Sequence, residues 1–465
     1  MDIVSLCHYS VGRSDLDDGA DIPRAMGDSG LSFIDRMFSD VHQRTESLGF
    51  SFYANRGFLF MNSVGIAQTA SHQLAMMTSQ QRDAGIRGIA QAFERNYYLL
   101  LEANTLDLEA MQSWQRRSAE SLVDDVQVNP IPIEWLRLTK EQIQRWIKAF
   151  SLIAGMPDPL RQMAGFYSPR QCHWMPLGVL GLAYEGLTEV AVMAIGMSLK
   201  TANSLILYPS LENAHTHAAL VQICQEALSS QHLPDGCVLS MDAAEFSAES
   251  QRVRQWIAYG RPAWRSAMRE QVKSSVMEAM IGNCYLYWAA SGGVDSVREM
   301  ILASHMGEPE AVNAIEKVLV HPQHSSSSLV RLWADLRSKG FEIFGDDAIV
   351  AEFPEVKRLP DEDWIRPCFR KQVAFRGVEN IAGAIEFINI HSSGHADAIV
   401  TESYGASQEF VQQIRSTSVY LNAIGRFQRC QFTEGDVVLG TTGRSGFGSI
   451  RMQSLLTPKR VVYGN

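Results

Sequence analysis

Apolar positions along residues 67–110 recur at spacings of three and four, which is the period of an amphipathic helix. The series comprises Leu74, Met77, Ile86, Ile89, Ala92, Phe93, Leu99 and Leu100. Similar patterns predict helices over residues 31–48 and 140–154. A polar, acidic stretch at 119–125 separates the two later helical regions. From residue 67 to residue 154 the chain is therefore predicted to be mainly helical.

From Pro176 onwards, short apolar runs alternate with helical segments. The apolar runs predict strands over residues 177–183, 204–208, 284–289, 318–321, 396–401 and 418–423. The segments with helical spacing predict helices over residues 191–200, 213–228, 294–304, 329–339, 384–389 and 408–416. Alternation of strand and helix is typical of βαβ units with a parallel sheet. The fold class predicted from the pattern is α/β.

Composition and charge narrow the range of partners. The 465 residues include 41 Lys and Arg against 51 Asp and Glu, for a formal net charge of -10. This acidic balance disfavours nucleic acid and anionic membranes as partners, because both need clustered basic residues. There is neither a signal peptide pattern nor an apolar run near the roughly 20 residues of a membrane span. The 7 cysteines include no C-x-x-C pair and indicate a reduced compartment, so we expect a cytoplasmic protein.

Two local patterns are candidates for a phosphate-binding loop and a metal site. Residues 291–296 read SGGVDS, which matches the phosphate loop of ATP pyrophosphatases and lies between a predicted strand and a predicted helix. The alternative is an ordinary strand-to-helix turn capped by serine, and it is favoured because the match is short. The pairs His321 with His324 and His391 with His395 have no acidic third ligand at a matching spacing. No metal site is predicted.

Three segments form a more extensive pattern. Residues 176–185 read PLGVLGLAYE, residues 199–207 read LKTANSLIL, and residues 395–401 read HADAIVT, followed by SVYLNA at 418–423 and Arg-Phe at 426–427. In this order, the segments resemble the gamma-glutamyl phosphate reductases (glutamate-5-semialdehyde dehydrogenases) of the aldehyde dehydrogenase superfamily. The resemblance runs from about residue 68 to the C-terminus.

The resemblance implies an aldehyde dehydrogenase-like α/β fold with a definite domain order. A Rossmann-type cofactor domain is expected at 67–258, with a flap hairpin near 160–175. An α/β catalytic domain is expected at 259–428, and a C-terminal tail with an oligomerisation strand at 429–465. Residues 1–66 form an N-terminal extension that the resemblance does not explain. The resemblance also implies a homodimer built through the flap, a small amino-acid-like substrate, and NADPH as a possible cofactor.

The matched segments also suggest site residues. The resemblance places four residues near the cofactor, namely Lys200, Asn203, Tyr208 and Gly260. It places Asn422 and Arg426 near the substrate. Tyr208 stands where the family has an arginine, and Gly260 is the glycine kept from a Pro-Arg-Gly-Gly loop. The cofactor side of this chain therefore departs from the family pattern.

The catalytic positions depart further. The family nucleophile is the cysteine of a Pro-x-x-Cys-Asn segment, and residues 309–313 read PEAVN here, so Val312 takes its place. A valine cannot be acylated, which closes the thioester route. The oxyanion-hole asparagine of the family aligns with Glu189, whose carboxylate would repel a developing oxyanion. The buried-strand position of Cys284 matches a scaffold cysteine, so it is not expected to replace the nucleophile.

These departures leave three hypotheses open. In the first, the chain is an enzyme repurposed for non-thioester chemistry on an amino-acid-like carboxylate or semialdehyde, with Glu189 as general acid or base and Asn313 as a polar partner. In the second, it is a non-catalytic pseudoenzyme that binds a partner. In the third, it is an NADPH-dependent reductase that uses other residues.

Overall fold

Long helices precede the first sheet. In the computed structural model, the described residues are 62–120, 131–167, 170–306, 312–423, 431–433, 436–444, 446 and 448–462. They all belong to one unit, Asn55–Asn465. The predicted helix at 31–48 lies outside them. The helices predicted within 67–110 and at 140–154 are confirmed.

The helices are α1 Ser63–Met76, α2 Ser79–Arg95, α3 Tyr97–Glu120, α4 Ile133–Leu136, α5 Lys140–Gly155, α6 Thr188–Lys200, α7 Ala214–Ser230, α8 Ala243–Glu249, α9 Pro262–Gln271, α10 Val294–Ser304, α11 Ser326–Ser338, α12 Asp347–Glu352, α13 Ile381–His391 and α14 Tyr404–Gln413. The strands are β1 Met163–Tyr167, β2 Arg170–Pro176, β3 Val179–Tyr184, β4 Ser204–Pro209, β5 Val238–Ser240, β6 Gln255–Tyr259, β7 Ser275–Ala279, β8 Cys284–Trp288, β9 Ile315–Val320, β10 Glu342–Gly345, β11 Lys357–Arg358, β12 Gln372–Gly377, β13 Ala396–Val400, β14 Ser418–Leu421, β15 Gln431–Thr433, β16 Asp436–Thr441, β17 Ser449–Arg451 and β18 Leu456–Val462.

Side chains cap the N-termini of α2 and α5, two of the helices that precede the first sheet. Thr78 accepts a hydrogen bond from the Gln81 N–H, and the Gln81 side chain returns to the Thr78 backbone, which forms a capping box at α2. Thr139 begins α5 in the same way. The apolar faces of α2 and α5 pack together, and the ring centroids of Phe93 and Trp146 lie 5.9 Å apart. Local caps and an apolar stripe together fix this pair of helices.

The first sheet is parallel and has the strand order β5-β4-β3-β6-β7. Every residue of β3 is buried, because helices cover both faces of a parallel sheet. Gly181 permits close packing here, since a Cβ at this position would lie 2.3 Å from Cε3 of Trp256. The chain runs from β3 to β4 on one side and later to β6 on the other. The carboxyl ends of β3 and β6 therefore form a topological switch point, where such sheets bind ligands.

The second sheet is also parallel and has the order β11-β10-β12-β9-β8-β13-β14. Its core centres on Trp333, which is fully buried and contacts the rings of Phe353 and Phe375. The sequence predicted β8, β9, β13 and β14, and these are confirmed. No prediction was made for β10, β11 and β12, which complete the sheet.

Two small antiparallel sheets complete the fold, β1-β2-β18 and β15-β16-β17. The hairpin of β1 and β2 lies where the resemblance implied a flap, and β18 near the C-terminus pairs with it. The first sheet extends to Ala279, because β7 pairs with β6. This sheet therefore passes beyond residue 258, at which the sequence placed the domain boundary. No helix within the described ranges is long and apolar enough to cross a membrane.

Candidate functional site

An ion pair closes the switch point of the first sheet. Glu185 follows β3 directly and is 1% exposed, and Arg261 follows β6 at the start of α9. The Arg261 backbone N–H donates to Oε2 of Glu185 at 2.8 Å, while its Nε and Nη2 donate to Oε1 at 2.9 and 2.5 Å. A Cβ on Gly260 would lie 2.8 Å from Cβ of Glu185, so the glycine permits this approach. The pair therefore links the carboxyl ends of β3 and β6.

Carboxylate side chains also lie at the N-termini of the helices that begin at this edge of the sheet. Asp107 of α3 accepts the backbone N–H groups of His215 and Thr216, at 3.0 and 2.8 Å, in the first turn of α7. Glu189 lies in the first turn of α6. Helix N-termini are the usual binding places for phosphate groups. Internal carboxylates at these positions compete with a dinucleotide, so the residues present fit that cofactor poorly.

The structure places Lys200 and Asn203, for which a cofactor role was predicted, away from the switch point. The Lys200 ammonium is fully buried and donates to Oδ1 of Asp83 at 2.8 Å. Asn203 accepts from the Gly178 N–H at 2.7 Å and donates to the Leu455 carbonyl at 2.9 Å. Both residues precede β4 and therefore lie at the amino edge of the sheet, opposite to the switch point. They hold the scaffold together.

Tyr208 and Gly260 do lie at the carboxyl edge. The Tyr208 ring stacks on Phe246 with 4.1 Å between the ring centroids, and the side chain is half-buried. Burial and the charge of Asp242 raise the pKa of Tyr208, which keeps the phenol neutral. For these two residues the cofactor role stays a prediction.

The loop before β9 carries the position of the family nucleophile. Val312 is 1% exposed, and its carbonyl oxygen accepts hydrogen bonds from the Gly282 N–H at 2.7 Å and from Nε2 of His395 at 3.0 Å. Nδ1 of His395 lies 2.8 Å from Oγ of Ser393. Burial lowers the pKa of His395 to about 4, so the imidazole is neutral near pH 7. Val312 is therefore buried, and its carbonyl oxygen is held by two hydrogen bonds.

The thiol of Cys284, which contacts the same histidine, is poorly suited to replace a nucleophile. Sγ of Cys284 lies 3.5 Å from Nε2 of His395, and the residue is 2% exposed. Burial raises the pKa of this thiol well above its ordinary value, and the charges of Asp397 and Glu316 add to the effect. A thiol that stays protonated is a weak nucleophile. The structure agrees with the scaffold role expected for Cys284.

A buried acid was missed by the sequence reasoning. Asp397 accepts hydrogen bonds from the Tyr285 N–H at 2.7 Å, from Oγ of Ser392 at 2.7 Å, and from the hydroxyl of Ser416. Burial raises its pKa to about 7 despite these donors. It lines a small cavity together with Cys284, Asn313 and Tyr420. The HADAIVT segment that carried the family resemblance contains this acid, and that was the available signal.

The remaining predicted residues do not gather at one site. Asn422 uses both ends of its amide on Thr401, accepting from the backbone N–H at 2.9 Å and donating to the carbonyl oxygen at 2.6 Å. It follows β14 at the carboxyl edge of the second sheet, whereas Val312 and Asn313 precede β9 at the amino edge. The substrate role predicted for Asn422 is therefore not supported. Arg426 and residues 309–311 lie outside the described residues.

The SGGVDS segment is a strand-to-helix connection. Oγ of Ser291 lies 3.0 Å from Oγ1 of Thr401 and accepts from the Glu402 N–H at 2.9 Å. A Cβ on Gly292 would lie 2.5 Å from the Val400 carbonyl oxygen. Asp295 adds a negative charge to the first turn of α10, which disfavours phosphate. Among the described residues, no group of three or more His, Cys, Asp or Glu side chains is placed to hold a metal ion.

Comparisons with known proteins agree on one family. No family profile matches the chain. The "Gamma-glutamyl phosphate reductase 2" of Synechocystis sp. is 36% identical over 412 residues, covering 86% of this chain and 95% of the relative. The gamma-glutamyl phosphate reductase of Gloeobacter violaceus is 29% identical over 411 residues, with 86% and 95% coverage.

Solved structures give the same result. The crystal structure of gamma-glutamyl phosphate reductase from Thermotoga maritima is similar with a TM-score of 0.74 and 26% identity, covering 87% of this chain and 98% of that one. A probable aldehyde dehydrogenase from Listeria monocytogenes shares the fold, with a TM-score of 0.64 at 16% identity over 87% and 96% of the two chains. The predicted aldehyde dehydrogenase-like α/β fold is confirmed, and the chain belongs to the gamma-glutamyl phosphate reductase family.

Proposed function

We propose that this chain is a non-catalytic member of its family, which serves amino-acid biosynthesis by binding and not by reducing an acyl phosphate. One observation carries the proposal. The position that the family resemblance assigns to the nucleophile holds Val312, which is buried and has no reactive atom, and the adjacent thiol of Cys284 is kept protonated by burial. A thioester cannot form on the first and is disfavoured on the second.

The cofactor side supports the same proposal. Arg261 satisfies the buried carboxylate of Glu185 at the switch point, and Asp107 caps the start of α7. A dinucleotide whose phosphate binds at the N-terminus of α7 would have to displace Asp107 from the backbone N–H groups of His215 and Thr216. For this reason the non-catalytic hypothesis is preferred over an NADPH-dependent reductase.

The first test is turnover by the purified chain. NADP⁺, phosphate and glutamate-5-semialdehyde would be supplied, NADPH formation followed by absorbance, and acyl adducts sought by intact mass. The expected result is neither NADPH nor adduct. Turnover that survives in Cys172→Ser but is lost in Cys284→Ser would overturn the proposal, because it would identify Cys284 as a substitute nucleophile.

A repurposed enzyme is the second candidate, and the placement of Glu189 favours it. This half-buried residue lies in the first turn of α6 at the carboxyl edge of the first sheet, where such folds bind ligands. The test is a panel of small aldehydes, amino acids and acyl phosphates, assayed with wild type, Glu189→Gln and the surface control Glu226→Gln. Turnover lost only in Glu189→Gln would replace the first proposal with this one.

A homodimer belongs to the proposal as well. Strands β14 and β18 are each paired on one side only among the described residues, and unpaired edges can accept a strand of a second copy. Light scattering coupled to gel filtration tests this directly. A mass near twice 51.8 kDa is expected, and a monomer at micromolar concentration would contradict it. A cytoplasmic location also stays a prediction.

A further inference from the structure

A lysine and a cysteine lie in contact beside the second sheet. Nζ of Lys317, on β9, is 3.5 Å from Sγ of Cys368, which lies in the segment before β12. The ammonium is fully buried and also donates to the Arg366 carbonyl at 2.6 Å and to Oε2 of Glu316 at 3.2 Å. Cys368 is partly exposed. The amine is thus fixed against the sulfur of a partly exposed residue.

The surrounding backbone holds this geometry in place. The buried carboxylate of Glu316 accepts the N–H groups of Cys368 at 3.0 Å and Phe369 at 3.3 Å, and also that of Asn283 at 2.8 Å. These bonds anchor the cysteine segment to the start of β8. The contact between sulfur and nitrogen is therefore built by several independent hydrogen bonds.

We propose that Cys368 and Lys317 form a covalent sulfur–nitrogen cross-link when a peroxide oxidises the cysteine. In the first step, the thiol sulfur attacks hydrogen peroxide, the O–O bond breaks, and a sulfenic acid and water form. In the second step, the Lys317 ammonium first passes a proton to Glu316, and the neutral amine nitrogen then attacks that sulfur. The S–N bond forms as the S–O bond breaks, and the hydroxyl takes a second proton from the nitrogen and leaves as water. Overall, sulfur loses two electrons, and the peroxide is reduced to two molecules of water.

The same surroundings set the rate of each step. Burial raises the pKa of Cys368 to about 12, and although Lys317 opposes this effect, the thiol reacts slowly in the first step. The second step is favoured because the amine is already in contact, whereas a second peroxide must diffuse in. The sulfenic acid is therefore captured before it is oxidised further. Formation should be faster at alkaline pH.

The cross-link would alter a contact between residues that are far apart in the sequence. Phe369 follows Cys368 with a positive φ of 53°, and its ring lies 5.1 Å from that of Trp135 in α4. Trp135 in turn packs against Gly186, next to the Glu185 ion pair. A covalent bond at Cys368 would pull on the segment that makes this contact. The site is independent of whether the chain is catalytic.

The test is mass spectrometry of the full chain treated with hydrogen peroxide at pH 9. A linked pair of tryptic peptides containing Cys368 and Lys317 is expected, lighter than their sum by two hydrogens and released by dithiothreitol. The pair should be lost in Cys368→Ser and retained in Cys172→Ser, which removes another partly exposed thiol. The wild-type measurement decides the question even if a variant fails to fold.

Two results would overturn the proposal. The first is dimedone-labelled or sulfinic Cys368 with Lys317 unmodified, because it would mean that the amine does not capture the sulfenic acid. The second is an unoxidised Cys368 after Cys172 has been fully oxidised, because it would mean that peroxide does not reach the site.

Discussion

Replacement of Arg261 by methionine tests whether the switch point is held by its ion pair. Arg261→Met removes the bonds from Nε and Nη2 to Glu185, while the backbone N–H of residue 261 remains. Removing one partner of a buried ion pair costs about 3–5 kcal/mol, because a charge is left uncompensated. The carboxylate side is 2% exposed, but the guanidinium side is 22% exposed, so water recovers part of the loss. We expect a decrease in the free energy of unfolding of about 2–3 kcal/mol.

The assay is urea denaturation followed by tryptophan fluorescence, with Arg269→Met as the matched control. Arg269 pairs with Glu278 at 3.3 Å, but its side chain is 63% exposed, so its loss should cost about 0–1 kcal/mol. The double variant Glu185→Gln/Arg261→Met should recover stability relative to Arg261→Met, since the buried charge is removed as well. If Arg261→Met costs no more than Arg269→Met, the ion pair does not hold the switch point.

Three further predictions concern packing and pH. Gly181→Ala should lower the free energy of unfolding by about 1–3 kcal/mol in urea denaturation, because its Cβ meets the Trp256 ring, and Gly155→Ala, with open space around it, should not. Trp333→Ala should cost about 3–5 kcal/mol in the same assay, and a smaller loss than 1 kcal/mol would contradict a tightly packed second core. Asp397, whose pKa in the folded protein is raised to about 7, stabilises the fold in its protonated form. This contribution is fully present below the unfolded pKa of about 4 and is lost as pH rises towards 7. The stability of wild type relative to Asp397→Asn should therefore fall across that range, by at most about 1.4 kcal/mol per pH unit, and an unchanged difference would refute the raised pKa.

The sequence predicted those elements whose own residues determine them. Strands β3 and β8 are continuous apolar runs that are buried on both faces, β13 is interrupted only by Asp397, and α10 was predicted with its observed bounds. Short strands such as β10 contain exposed positions and a charged residue, and neighbouring strands decide their conformation. Their own residue patterns therefore carry too little signal to identify them.

Site residues were harder to predict, because the edge of the sheet on which a residue lies is a property of the whole fold. Lys200 ends an apolar helix in a segment that resembles the family, and nothing local indicates that its ammonium pairs with Asp83, 117 residues earlier. The Asn422 side-chain amide likewise bonds to the backbone of Thr401, directly after β13. By contrast, the resemblance alone was sufficient to direct attention to Val312, because it compares the residue type at one position.

The structure also explains why a valine is tolerated where the resemblance places a cysteine. The hydrogen bonds that hold this loop are made by the carbonyl oxygen of Val312, which any residue supplies, to Gly282 and His395. Valine and cysteine are both small and well suited to a buried position, so packing requires no thiol. The residues around this position can therefore be retained because they stabilise the fold, even in a chain that has no catalytic activity. A retained fold around Val312 consequently carries no information about retained turnover, and only the reactive groups themselves can decide between binding and catalysis.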